Sequence, residues 1–332
     1  MDQHLPAPGR ATEPKSAPGG PAGAGASATA AHVPPAQDIP RTDPARPSAR
    51  PSASRRRHWD DLPAGVRAAV RERTGPIRAA RSADAGFSSQ LAVTLDTAHG
   101  RVFVKGMRQD HGEAWTQRRE ADVGPHIVPL GPRLLWHVTA DGWDLLGFEH
   151  LTGRSADYGP ASADLPLVVE AMTALGRIAC PEVELADAGQ RWAAYVDDPA
   201  DARLFTGTAL LHTDWHHTNV LITGPDTAPP ADTPRPTDTA RLIDWPWATR
   251  GAAWIDPACW IVWLGFAGHD PQQAERWAAK VPAWSTASAG ALDLFATAQA
   301  RFWQETEATY PNAWTHGLRG AADRWAAHRA DG

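Results

Sequence analysis

The chain has 332 residues, 21% of them charged, with a formal net charge of −6. Residues 1–57 hold eight Arg/Lys against four Asp/Glu, which makes that stretch +4 and the remainder −10, and an acidic body argues against a nucleic-acid surface. Cys180 and Cys259 are far apart with no C-x-x-C, the first residues have no apolar core of a secretory signal, and no apolar run is long enough to span a bilayer. A disulfide framework, zinc knuckle, secreted protein or membrane protein is therefore not expected, and a reducing cytoplasm is.

Residues 1–56 are rich in Ala, Pro, Gly and Ser and contain no aromatic residue. Such a segment cannot bury enough apolar surface to offset its ordering entropy, so a disordered tail is expected. Folding is expected to begin at "RHWDDLPAGVRAAVRERTG", where Asp60 or Asp61 is placed to cap a short helix. "PIRAARS" and "SQLAVTLD" read as strands joined by "ADAGFS", and "TAHG" turns into a third strand, "RVFVKG". "DHGEAWTQRREADVGPHI" reads as a helix. "RLLWHVTADGWDLLGFEHL" reads as two strands about Asp141-Gly142, a hairpin signal. The pattern after about 160 is mostly helical. "NVLIT" and "ARLIDW" interrupt it as two short strands around a Pro/Asp/Thr-rich insertion, residues 224–239, with the composition of a mobile loop.

"HTDWHHTN", His212 to Asn219, places three histidines, one aspartate and one asparagine within eight residues. His212 and His216 are four apart, the spacing of a helical zinc site. A zincin site needs H-E-x-x-H on a helix, however, and here Thr213 stands where the Glu should be. The Val220-Leu221-Ile222 run followed by Gly224-Pro225 also favours a strand. The same residues read as H-x-D-x-x-x-x-N, and "LIDW" brings Asp244 to the end of the next strand. Phosphoryl transfer needs an acceptor for the substrate hydroxyl, suited to Asp214. It also needs an amide oxygen and a carboxylate for Mg²⁺, suited to Asn219 and Asp244.

Of 32 Lys and Arg residues only three are lysines: Lys15, Lys105 and Lys280. Lys105 lies in a strand among Val102, Phe103 and Val104 and needs a partner unless it reaches water at the strand end. Glu120, fifteen residues on, is the natural partner; Glu113 is a weaker one. A compact ammonium suits a narrow phosphate cleft. Lys280 reads as a helix-end cation. The loop "DAGFSSQ" has one glycine and no Walker pattern, but Ser88 and Ser89 with their backbone N–H groups are candidate phosphate contacts.

Taken in order, Lys105, Glu120, "FEHLTG", "HTDWHHTN", "LIDW" and "GAAWIDPA" resemble the aminoglycoside phosphotransferase and choline-kinase-like branch of the kinase superfamily. Asp214, His216, Asn219, Asp244, Gly251, Asp256 and Ala258 fall on its H-G-D-L-H-x-x-N, I-D-W and G-x-x-x-x-D-x-A patterns. The resemblance implies an α+β, bilobal protein-kinase-like fold, with a small β-rich N-lobe (57–150) and a larger, mainly helical C-lobe (151–332). It also implies that Asp214 is the catalytic aspartate, that Asn219 and Asp244 hold Mg²⁺, and that Lys105 pairs with Glu120 and contacts ATP phosphates. Backbone groups near Glu149 and Leu151 would meet the adenine, while His212 and Asp256 would brace the catalytic loop. Three features depart from the pattern: Thr213 in place of glycine, the long 224–239 insertion, and a phosphate loop poor in glycine.

The function expected is an ATP-dependent phosphotransferase acting on a hydroxyl of a small molecule, with no nucleic-acid, membrane or obligate protein partner. The alternative is a non-catalytic nucleotide-binding or scaffold protein of the same fold. From 255 to the end there are eight Asp/Glu against six Arg/Lys, which is not the acidic pocket a polycationic aminoglycoside calls for. Eight tryptophans from Trp254 onward are expected mainly in helix packing; any that line the pocket would suit an apolar or quaternary-ammonium acceptor. A small acceptor is expected because only eleven residues separate Asp244 from Asp256, too few for a peptide-docking shelf.

Overall fold

The computed structural model of the protein describes residues 57–83, 89–224 and 238–331. The 1–56 tail, most of the 224–239 insertion and Ser88 lie outside the described residues.

Helix α1 (Ala64–Thr74) buries Val66, Val70 and Thr74, a stripe four residues apart, and ends at Gly75 with φ 70°. Neither Asp60 nor Asp61 caps it. Pro63 occupies the cap position, and Asp61 instead accepts a hydrogen bond from the His58 N–H within a preceding turn, Trp59–Asp61. The expected cap is displaced because Pro63 starts the helix with its own fixed φ, where a missing N–H costs nothing.

Five antiparallel strands follow: β1 (Ile77–Ser82), β2 (Leu91–Thr97), β3 (Gly100–Arg108), β4 (Leu134–Ala140) and β5 (Trp143–Glu149), in the spatial order β1-β2-β3-β5-β4. Helix α2 (Trp115–Val123) connects β3 to β4 and is shorter than the sequence predicts, since residues 110–114 form turns. Asp141 (φ 46°) and Gly142 (φ 75°) form the two-residue turn between β4 and β5.

The period-2 alternation of β3 and β5 divides the two faces of the sheet. Val102, Val104, Trp143 and Leu145 pack with Leu91, Val93 and Leu95 against Trp59, Val66 and Val70 under α1. Phe103, Lys105 and Phe148 face the opposite side. Lys105 is in register with Ala92 of β2 and Leu146 of β5, at the centre of the sheet.

Beyond residue 150 come β6 (Arg154–Ser155), α3 (Leu165–Leu175), β7 (Ala186–Asp187), α4 (Ala188–Trp192), β8 (Ala209–Leu211), β9 (Val220–Thr223), β10 (Thr239–Leu242), β11 (Thr249–Gly251), and helices α5 (Ile255–Phe266), α6 (Pro271–Ala278), α7 (Ala289–Thr309) and α8 (Ala313–Ala330). The predicted pair β9–β10 is antiparallel, with β6 added to its edge; β7, β11 and β8 form a third small sheet that the sequence pattern did not reveal. Helix α5 is buried all round, from Ile255 through Leu264. Gly251 is required at its approach: a Cβ there would lie 2.5 Å from Ala188 Cβ. Trp254, Trp260, Trp263, Trp303, Trp314 and Trp325 are all buried in this helical core. Cys180 and Cys259 are free, and none of the described helices is long and apolar enough to cross a membrane.

Candidate active site

The catalytic-loop sequence runs from the end of β8 to the start of β9, and α5 fixes its backbone. The buried Asp256 carboxylate, in the first turn of α5, accepts hydrogen bonds from His212 N (3.0 Å) and Thr213 N (2.8 Å). Burial pushes Asp256 up to about 6, against the pull of those N–H groups.

Thr213 stands at φ 64°, a conformation glycine adopts freely and a β-branched residue rarely. The loop therefore takes the left-handed turn that a glycine would give. It does so at a cost of order 1–3 kcal/mol, offset by fixed partners. Thr213 Oγ1 donates to Trp247 O (3.0 Å) and accepts from Arg191 Nη1 (2.6 Å).

His212 and His216 have separate hydrogen-bond partners, and His217 packs its ring against His216 and Tyr158. His212 Nε2 donates to Ile243 O (3.0 Å), which leaves Nδ1 to accept from Asp214 N (3.3 Å). Burial lowers its pKa to about 4, so this neutral tautomer persists at physiological pH. His216 Nδ1 pairs with Thr218 Oγ1, and the ring packs edge-on against Trp263. The two rings are engaged by different groups, which is not the convergent arrangement that a zinc site needs. Among the described residues no group of three or more His, Cys, Asp or Glu side chains forms a metal cluster.

Asp214 is half-buried. Burial first, and then the negative charge of Asp244, raise its pKa to about 6, while the His216 N–H and the Asn219 amide oppose the shift. Asn219 Nδ2 donates to Asp214 O (3.2 Å), which anchors the nitrogen end of the amide. Asp244 sits just past β10 at φ 66°, held by Ile243 N donating to Asn219 O (2.9 Å).

Lys105 Nζ lies 2.8 Å from Glu120 Oε2, 2.9 Å from Glu120 Oε1 and 2.6 Å from Asp244 Oδ1. Burial disfavours its charge, but Asp244 and Glu120 outweigh burial, so the ammonium is held protonated. Glu120 also accepts from Trp245 N (3.4 Å), which links α2 to the segment after β10. Glu113 lies outside this cluster.

These groups line a cavity of about 390 Å³ between the five-stranded sheet and β9–β10. Its walls include Ala92, Phe103, Phe148, Leu151, Leu221 and Ile243, and its polar lining includes Ser89, Lys105, Glu120, Glu149, Asn219 and Asp244. The Glu149 N–H is taken by Arg133 O (2.9 Å), and its carboxylate by Arg241 (2.9 Å). Asp214 lies on the loop next to the cavity but is not part of its lining.

Sequence reasoning missed Arg191 and Arg119. Arg191, on α4, bonds Thr213 Oγ1 and Thr249 Oγ1 (3.1 Å) and stacks near Trp247; Arg119, on α2, donates to Pro246 O (3.3 Å) and stacks on Trp115. No motif surrounds either residue. The signal available was the second indole of "DWPW", Trp247, close behind Asp244.

No family model matches the sequence, and no curated protein matches it either. Solved structures do match its fold. Choline kinase LicA from Streptococcus pneumoniae gives a TM-score of 0.50 at 10% identity, over 78% of this chain and 98% of that one. LicA in complex with AMP gives 0.50 at 11% identity, over 80% and 98%. Aminoglycoside phosphotransferase APH(4)-Ia gives 0.51 at 14% identity, over 79% and 97%. The chain thus has the α+β fold of protein-kinase-like small-molecule phosphotransferases. At these identities the likeness is one of fold.

Proposed function

We propose that the protein transfers the γ-phosphoryl group of ATP to a hydroxyl of a small molecule. The observation that carries this reading is the convergence of Lys105, Asn219 and Asp244 on one cavity, with Asp214 at its edge. In this reading residues 57–150 and 151–332 are the two lobes, and ATP lies between them. The adenine packs against Phe103, Phe148, Leu221 and Ile243, with Leu151 supplying the backbone contact because the Glu149 N–H is engaged. Lys105, held charged by Glu120, meets the phosphates, with Ser89 beside it in the cavity lining.

The donor set fits Mg²⁺. Asn219 is anchored by its nitrogen, which leaves the amide oxygen free. Asp244 uses Oδ1 for Lys105 and keeps Oδ2, so both offer the hard oxygens this ion selects. When bound, Mg²⁺ supplies charge neutralisation of the phosphates. Asp214 orients the acceptor hydroxyl and takes its proton as the oxygen bonds to the γ-phosphorus. The bond from that phosphorus to the bridging oxygen breaks, and ADP leaves. His212 and Asp256 hold the loop that carries Asp214.

The acceptor is a small molecule. The segment from Trp245 to Trp254 is used up by a turn and by β11, which pairs with β7 and β8, and it leaves no shelf for a peptide. A labelled-ATP assay against a peptide library and a metabolite panel tests this. Asp214-dependent labelling is expected among metabolites; efficient labelling of peptides alone would refute it.

A further inference from the structure

Arg119 and Arg191 form a cationic cluster on the flank of the catalytic loop away from the cavity. Neither lines the cavity, and neither has a carboxylate within salt-bridge distance among the described residues. Arg191 uses one nitrogen, Nη1, for Thr213 Oγ1, Thr249 Oγ1 and Trp247 O, while its buried Nε has no partner. Arg119 spends only Nη1, on Pro246 O, and its buried Nε is likewise unpartnered. Burial lowers the pKa of both; Glu184 acts on Arg119, and Asp214, Asp256 and the like charge of Arg119 act on Arg191, the carboxylates all beyond salt-bridge distance. Two partly desolvated guanidiniums with no carboxylate in direct contact keep N–H donors to offer a negative group.

Their surroundings are those of a binding surface. Trp115 and Trp247 are half-buried and meet edge-on at 5.4 Å, with Arg119 4.5 Å over the Trp115 ring and Arg191 5.4 Å over the Trp247 ring. The cluster attaches to the loop at Thr213, next to Asp214, and at Pro246 and Trp247, just after Asp244. It therefore adjoins Asp214 outside the cavity lining.

We propose that the acceptor carries an anionic group, a carboxylate or a phosphate, bound by Arg119 and Arg191 beside the Trp115 and Trp247 indoles. This assignment rests on the phosphotransferase reading for which group is the acceptor, while the anion site itself does not. Guanidinium forks match both oxyanions in geometry, and a polycation is repelled from the same place.

The test is calorimetric titration of the full chain, with a non-hydrolysable ATP analogue and Mg²⁺, against matched probes. D-Gluconate is paired with sorbitol and glucose 6-phosphate with glucose, and kanamycin serves as the polycation. At least one anionic probe is expected to bind about tenfold or more tighter than its neutral partner, and which pair shows the gap separates carboxylate from phosphate. Arg119→Gln is expected to narrow that gap to less than about threefold. Arg119 makes a single backbone hydrogen bond, and circular dichroism checks that the variant folds. Equal binding within both pairs, tighter binding of kanamycin, or a gap unchanged in Arg119→Gln would overturn the proposal. An anion preference without any Asp214-dependent ADP release would remove the kinase reading and leave the anion site standing. Asp214-dependent transfer to neutral or cationic acceptors alone would do the reverse.

Discussion

The two flanks of the catalytic loop handle buried charge in opposite ways. On the cavity side every charge is answered at close range: Lys105 lies within 3 Å of both Glu120 and Asp244, and apolar walls surround them. On the other side Arg119 and Arg191 have carbonyl and hydroxyl partners only, with indoles beside them. A side where one ammonium faces two carboxylates suits a ligand that brings a cation with it, as Mg-nucleotide does. A side whose guanidiniums have no carboxylate in direct contact suits a ligand that supplies one. In the proposed reading each flank takes a different cargo.

The largest expected effect comes from the group between them. Asp214→Asn should lower turnover by about 10²–10⁴-fold, the usual contribution of a positioned acid–base group, with nucleotide affinity nearly unchanged. Turnover close to wild type would show that the loop does no proton chemistry. Asp244→Ala should abolish Mg²⁺-dependent turnover, and it strips Lys105 of its 2.6 Å partner.

The charge pairing on the cavity side can be broken directly. Lys105→Met leaves Glu120 and Asp244 facing each other without the cation, and breaking such a buried pair should cost roughly 3–5 kcal/mol in urea unfolding. Adding Glu120→Gln should recover part of that loss. If Lys105→Met unfolds like wild type, the three charges are not coupled in stability.

Acidity is a milder probe. Asp214 and Asp256 both titrate near 6 because burial disfavours their charged forms. Activity as kcat/KM should therefore fall as pH drops through about 6, as the Asp214 base takes up a proton. Stability should move the other way. Because the folded pKa values lie above the unfolded ones, the folded state binds more protons between about 4 and 6. The associated stability is present below that window and is lost as pH rises through 6. Asp214→Asn should accordingly melt higher than wild type at pH 8, with the difference shrinking toward pH 4. A melting difference independent of pH would show that Asp214 has an ordinary pKa.

The smallest effect should come from Thr213→Gly. It relieves a left-handed β-branched residue, worth about 1–3 kcal/mol, and loses two hydroxyl hydrogen bonds of about 1 kcal/mol each. Net stability should shift by no more than about 1 kcal/mol. A large destabilisation would mean that the Arg191–Thr213–Trp247 link holds the loop more firmly than the backbone strain opposes it.

These particular residues show where the sequence was legible. The strands β1 to β5 and the β9–β10 pair could be read because alternation and turn chemistry are local. Lys105 stood out because lysine is so rare in this chain. Asp214, Asn219 and Asp244 stood out because fixed spacing carries their chemistry. The small sheet of β7, β8 and β11 could not be read, since two- and three-residue strands have no periodicity and β7 and β8 are paired through β11, some forty to sixty residues away in the chain. The cap of α1 was misread because Pro63 competes with the aspartates. Thr213 looked like a defect in a glycine position until its φ and its bonds to Arg191 and Trp247 were in view. Arg191 and Arg119 were invisible for a related reason. What makes them notable is the absence of a carboxylate partner, a property of three-dimensional neighbours with no sequence pattern.

The most direct measurement is mass-spectrometric detection of phosphorylated product from ATP, Mg²⁺ and a hydroxylated metabolite panel, run in parallel for wild type and Asp214→Asn. The account predicts a product 80 Da heavier than an acceptor, formed with stoichiometric ADP by wild type and reduced about 10²-fold or more in the variant. Nucleotide binding with no phosphorylated acceptor in either protein, or equal product from both, would contradict it.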